Sequence, residues 1–168
     1  TAIGILNALQ AMRAPGESFE NVLDRPILPY LPPSWNTVDN VANITFKEVL
    51  SHRTGLRSKT DGTCENGTWG TTHARVREAL TTTNSVAEPI THRHWGSKTR
   101  CYQNINYGLA RVLLAGLAGY RGSTPEEDDA EERIASLFRI YLQATVFDPC
   151  GIYNVQFKED SLNPTIFY

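Results

Sequence analysis

The chain has 168 residues, with hydrophobic residues at 40%, charged residues at 20% and a formal net charge of −2. That is enough apolar material for one soluble globular domain, and it argues against disorder. The small charge excludes nucleic acid or an anionic membrane as the natural partner. The longest apolar run, Val112 to Tyr120, is far short of the ~20 residues a bilayer span requires.

In chain order, the first thirteen residues read as a helix, with Ala2, Ile3, Leu6 and Leu9 on a partial apolar face and Pro15-Gly16 ending it. Pro26, Pro29, Pro32 and Pro33 then forbid a long helix and favour an extended, turning segment. Thr45 and Glu48 have capping-box spacing ahead of Phe46, Val49 and Leu50, which predicts a short helix ending at Gly55. Residues 57–72 are rich in Gly, Thr, Asn, Lys and Asp and read as a long surface loop anchored by Trp69. A helix is predicted from His73 to Thr81, and a second polar stretch runs from Asn84 to Arg100. Tyr107, Leu109, Val112, Leu113 and Leu117 recur at helical spacing, with Gly119 placed to stop that helix. Thr124, Pro125 and Glu127 announce another start. Ile134, Leu137, Phe138, Tyr141 and Leu142 form its apolar face to about Val146, where Pro149 and Gly151 terminate it. Weak alternation from Tyr153 suggests a strand. The expected class is mainly α, with long loops and few or no strands.

Cys64, Cys101 and Cys150 follow no metal-ligand spacing. Two states stay open for them: a Cys64–Cys101 disulfide with one thiol left over, or three free thiols. Asn43-Ile-Thr45 and Asn66-Gly-Thr68 are glycosylation sequons, of consequence only in a eukaryotic secreted protein.

The segment Arg100-Cys-Tyr-Gln-Asn-Ile-Asn-Tyr-Gly108 places Tyr102 and Asn104 at the doorway of a helix. Spacing alone makes them a half-buried tyrosine and a helix-capping asparagine. In an acyl-transfer site the same two residues have a use. A phenol whose pKa is lowered by cations, or which relays protons with a lysine, can take the proton of a serine and pass it to a leaving group. Asparagine offers both a donor and an acceptor, enough to orient a substrate amide and hold an ammonium together.

The surroundings supply that context. Thr45-Phe-Lys-Glu-Val-Leu-Ser-His-Arg-Thr-Gly-Leu56 resembles the "Thr-x-x-x-Leu-Leu-x-His-Thr-Ser-Gly-Leu" segment of the penicillin-recognising serine hydrolases: class C β-lactamases, D-Ala-D-Ala carboxypeptidases and related esterases. The tyrosine motif and the Gly-rich helix Asn106 to Gly119 resemble the tyrosine motif and apolar helix of that family. Val146-Phe-Asp-Pro-Cys-Gly-Ile152 is similar to its "Phe-x-Pro-Leu-Gly-Met", and Leu23-Asp-Arg-Pro-Ile-Leu-Pro-Tyr-Leu-Pro to its "Leu-Asp-x-Pro-x-x-x-Tyr-x-Pro". Thr1-Ala-Ile-Gly-Ile-Leu-Asn-Ala-Leu resembles the helix that continues from the family's Ser-x-x-Lys.

The resemblance implies that residues 1–168 are one unit, the helical subdomain of the β-lactamase/transpeptidase-like fold, with 153–168 returning toward the sheet subdomain. It implies Tyr102 as catalytic base and Asn104 as substrate-orienting amide. The substrate would be a β-lactam, a D-Ala-D-Ala peptide or a small ester. No metal or organic cofactor is implied, and the partners would be that acyl substrate and the rest of the catalytic domain. A secreted or periplasmic setting is implied by the family.

Three departures stand out. Ser-x-x-Lys does not occur in these residues, and neither does the Lys/His-Thr-Gly strand motif. The family's Pro-Gly ahead of the tyrosine is Trp95-Gly96 here, and the stretch onward to Tyr102 is longer than usual. The chain alone is therefore expected to be catalytically silent, since a catalytic unit loses nearly everything with one member. The alternative is a non-catalytic helical binding module derived from the same family.

Other residues carry weaker signals. His52 is expected to hold the turn at Gly55. His92 and His94, with one residue between them and no acidic partner, read as surface rather than metal ligands. Ser97 and Lys98 are adjacent on the chain and do not converge as a dyad. Asp128, Asp129, Glu131 and Glu132 read as a solvated helix start favoured by the macrodipole. Trp69 and Trp95 read equally as loop anchors or as the lining of a substrate mouth.

Overall fold

A computed structural model describes residues 1–35, 37–56, 72–82, 102, 104–120, 131–153 and 155. Helix α1, Ala2–Ala11, buries Gly4, Ile5, Ala8 and Leu9, one stripe at helical spacing. Past Met12 the chain turns through Gly16 at φ 81°. A short helix that the sequence reading did not expect comes next, α2 (Phe19–Leu23), started by the Ser18 hydroxyl accepting the Asn21 N–H.

The proline-rich segment turns as expected, by way of a 3-10 turn at Leu28–Tyr30 with proline in its first turn. It is tied to the strip ahead of the next helix. The Ile27 N–H donates to the Ile44 carbonyl at 2.9 Å, the Phe46 N–H to that of Arg25 at 3.3 Å, and Pro26 and Thr45 form an isolated antiparallel bridge. A second 3-10 turn spans Asp39–Asn43.

Helix α3, Phe46–Leu50, carries the predicted capping box: Thr45 Oγ1 accepts the Glu48 N–H while the Glu48 carboxylate accepts the Thr45 N–H. It ends at Leu50, short of the Gly55 end expected from the sequence. The physical reason lies in the next residues: His52 takes φ 57°, and the Arg53 N–H folds back onto the Glu48 carbonyl at 2.7 Å, closing the helix. Across the surface, the Lys47 ammonium pairs with the Glu20 carboxylate of α2.

Helix α4 covers His73–Thr81, as predicted, and the Thr72 hydroxyl caps it. Helix α5, Ile105–Leu117, is stopped at Gly119, which has φ 84°. Helix α6, Glu131–Leu142, widens into a π turn over Gln143–Phe147 and tightens into a 3-10 turn at Asp148–Cys150. Gly151, left-handed at φ 72°, ends the run.

Helix α5 is the axis of the molecule. It packs against α1, α3, α4, α6 and the Leu28–Tyr30 turn. Ile105, Leu109, Leu113 and Leu114 are completely buried there, beside Ile5, Leu9, Phe46 and Leu80. The turn at Leu28–Tyr30 comes so close to α5 that a Cβ at Gly116 would overlap the Tyr30 carbonyl. The architecture is mainly helical, and no strand forms among the described residues, as the sequence pattern led one to expect. None of the described helices is long and apolar enough to cross a membrane.

Candidate functional site

The start of α5 and the turn after α3 enclose a shallow cleft of about 600 Å³, lined by Leu50, Ser51, His52, Arg53, Tyr102 and Tyr107. Each wall has a local cause. The α3 wall exists because the capping box fixes where the helix begins and the left-handed His52 fixes where it turns away. The α5 wall exists because Ile105 and Leu109 pull the first turn of that helix into the core and leave Tyr102, Asn104 and Tyr107 on its outer rim. Arg53 contributes a charged side chain among the described lining residues.

Tyr102 and Asn104 meet. The Tyr102 hydroxyl donates to Asn104 Oδ1 at 3.1 Å. Asn104 stands at the N-cap of α5, yet its side chain makes no capping hydrogen bond, so its amide faces the phenol instead of the helix. Its backbone carbonyl accepts the N–H groups of Tyr107 and Gly108. Tyr102 is 46% exposed and Tyr107 39%, so both tyrosines of the cleft reach solvent.

Beneath Tyr102 lies His52. The two rings are 4.4 Å apart, inclined by 31°, and the Tyr107 ring lies 5.2 Å from the same imidazole. His52 is 4% exposed, and Asn106 Nδ2 lies 3.4 Å from its Nδ1. Thr54 donates its hydroxyl to Asn106 Oδ1 at 2.7 Å and accepts the Leu56 N–H at 3.3 Å. Thr54, Asn106 and His52 thus form one buried polar network in which the threonine anchors the amide and the amide abuts the imidazole.

The sequence reading named Tyr102 and Asn104 as candidates, which the structure brings into contact, and it placed His52 at the turn without linking it to them. It missed Thr54 and Asn106 altogether. The signal for Asn106 was present. An amide between Ile105 and the apolar positions Leu109 and Val112 is buried, and a buried amide must find partners. Its partner Thr54 lies 52 residues away, a distance that no local pattern spans.

Elsewhere, Glu131 is exposed as expected but is more than a solvated charge, since its carboxylate accepts the His73 N–H at the start of α4 at 3.2 Å. The His73 ring lies 5.3 Å from that of Trp35. Cys150 is exposed and unbridged. No group of three or more potential metal ligands forms among the described residues. Trp69, Trp95, Cys64, Cys101, His92, His94, Ser97, Lys98, Asp128 and Asp129 lie outside the described residues, as does nearly all of the strand expected beyond Tyr153.

No curated protein and no solved structure matches the chain. A family model does. The β-lactamase model matches residues 18–164, a span that contains both walls of the cleft. Together with the helical architecture, that match establishes that the chain belongs to the β-lactamase family.

Proposed function

We infer that residues 1–168 form the helical region of a β-lactamase-like serine hydrolase and supply the acid–base side of its acyl-transfer site. In this reading the nucleophilic serine and its lysine would be supplied from outside these residues, in which Ser-x-x-Lys does not occur. The observation that carries the reading is the Tyr102–Asn104 hydrogen bond at the mouth of the cleft, made by an asparagine that leaves its helix uncapped.

The chemistry of the pair is simple. As a phenol, Tyr102 donates to Asn104 Oδ1 and leaves the amide Nδ2 to hold a substrate carbonyl. As a phenolate, formed when a neighbouring cation favours the charged form, it can take the proton of the attacking serine. Asn104, its amide turned about, then offers N–H to the phenolate. When the tetrahedral intermediate collapses, Tyr102 returns the proton to the leaving amine or alkoxide, and water repeats the cycle on the acyl-enzyme. The substrate class is that of the family resemblance, a β-lactam, a D-Ala-D-Ala peptide or a small ester. Without its nucleophile the chain binds such substrates but does not turn them over. A secreted or periplasmic setting, where those substrates occur, suits this reading.

The test is Tyr102→Phe in the protein that includes the nucleophile segment, assayed with a chromogenic cephalosporin and with p-nitrophenyl acetate. Phenylalanine keeps the ring and loses only the hydroxyl. Loss of the proton carrier should lower kcat by about 10²–10⁴-fold. Undiminished turnover would sink the assignment of Tyr102 as proton carrier, whereas no turnover in the unsubstituted protein would leave a helical binding module built on an enzyme's frame.

A further inference from the structure

We propose that His52 is a positioning residue for Tyr102: its buried imidazole is the platform that holds the phenol ring in its working orientation. This deepens the assignment above and rests on Tyr102 being the proton carrier.

Tyr102 precedes the helix and is nearly half exposed, so its own backbone setting does little to fix its side chain. Among the described residues two contacts hold it, the hydrogen bond to Asn104 and the ring of His52 at 4.4 Å. The first constrains the hydroxyl and the second constrains the plane. Remove the platform and the ring can swing about the Asn104 contact through solvent.

His52 is itself fixed to an unusual degree. Asn106 and Thr54 hold one edge of the imidazole from within the core, and Tyr107 lies against the ring as well. Its backbone is left-handed at φ 57°, a region that non-glycine residues enter only against strain. A turn alone would be better served by glycine or asparagine. A histidine in that conformation brings a ring to the turn, and Tyr102 lies against that ring.

The contact between the two rings is face against face, 4.4 Å between centroids at 31°, so the platform orients Tyr102 by stacking.

The experiment uses the complete enzyme and two readouts. His52→Asn keeps a side chain that tolerates φ > 0 and removes the platform. It should lower kcat by about tenfold to a hundredfold, the scale of a misplaced catalytic group, with KM within about twofold of the parent. In a Tyr102→Phe background the same substitution should cost no further activity, because the two residues act through one another. An equal loss in both backgrounds would overturn the proposal and make His52 a general structural residue.

The second readout does not depend on turnover. With ¹³C-labelled tyrosine, the signal that disappears in Tyr102→Phe is that of Tyr102. A ring stacked on an imidazole should show shifted aromatic protons that relax to free-tyrosine values in His52→Asn. An unmoved signal overturns the proposal. If Tyr102→Phe leaves turnover intact, the catalytic assignment has failed, and the spectrum still decides whether His52 orders the ring. Should His52→Asn not fold, Asn106→Ala, which unties the imidazole but keeps it, should give smaller changes of the same sign in both readouts. Unchanged kinetics and spectra in that variant would count against the proposal.

Discussion

In its C-terminal half, α5 carries Val112, Leu113, Leu114, Ala115 and Gly116, all buried, with Gly116 set against the backbone of the Leu28–Tyr30 turn. At its N-terminal end the same helix presents Tyr102, Asn104 and Tyr107 to solvent over a cleft. One end is held by volume, where a single added carbon has nowhere to go. The other is held by a few directed contacts, where rings and amides keep one another in place. The contrast teaches that a helix can anchor a site rigidly at one end while exposing its chemistry at the other. Stability and activity should then respond to different substitutions.

Three substitutions test that separation, and a fourth tests a site apart from both ends. The largest effect is expected at the packed end. Leu113→Ala should destabilise by about 2–5 kcal/mol, the usual cost of emptying a buried leucine site. Molecules that stay folded should keep their cleft, so denaturant melts and the Tyr102 signal should part company. Gly116→Ala comes second. Its methyl group overlaps a backbone carbonyl that no rotamer change can move, and overpacking of that kind costs about 1–3 kcal/mol or more. A silent Gly116→Ala would mean that the turn yields and the packed end is softer than described.

At the open end, Tyr102→Phe should shift the unfolding free energy by no more than about 0.5 kcal/mol while removing turnover. A large loss of stability there would erase the distinction between the two ends. The smallest effect concerns neither end. Glu17 accepts the Ala14 N–H and pairs with Arg25, and both hold its carboxyl below the ordinary glutamate range. A lowered folded pKa gives stability that is present above the unfolded value and is lost as pH falls through the folded value. Melting temperature tracked down the acid limb should therefore fall less steeply in Glu17→Gln.

Much of the scaffold was legible in the sequence for local reasons. The Thr45–Glu48 pair is a cap because both hydrogen bonds close within four residues, and α4 and α5 show their apolar stripes over two or more turns. The short α2 has only five residues, too few for a period to emerge. The end of α3 was read late because Gly55 is the expected stop, and it is left-handed at φ 79°. The chain, however, had already turned at His52, a residue that rarely adopts that conformation. Tyr102 and Asn104 were singled out by the resemblance of their segment and its surroundings to a family motif, since their spacing alone reads as a tyrosine beside a helix cap. Their support was not, because His52, Thr54 and Asn106 meet only through the docking of the α3 turn onto α5.

The capping box has one more consequence, for the sequon Asn43-Ile-Thr45. Thr45 is 2% exposed, and its hydroxyl is already engaged by the Glu48 N–H. The group a glycosylating enzyme must read is thus sequestered once α3 has formed. In a host that adds N-linked sugars, Asn43 is open to modification only while the chain is still being made, and folding of a five-residue helix closes that window.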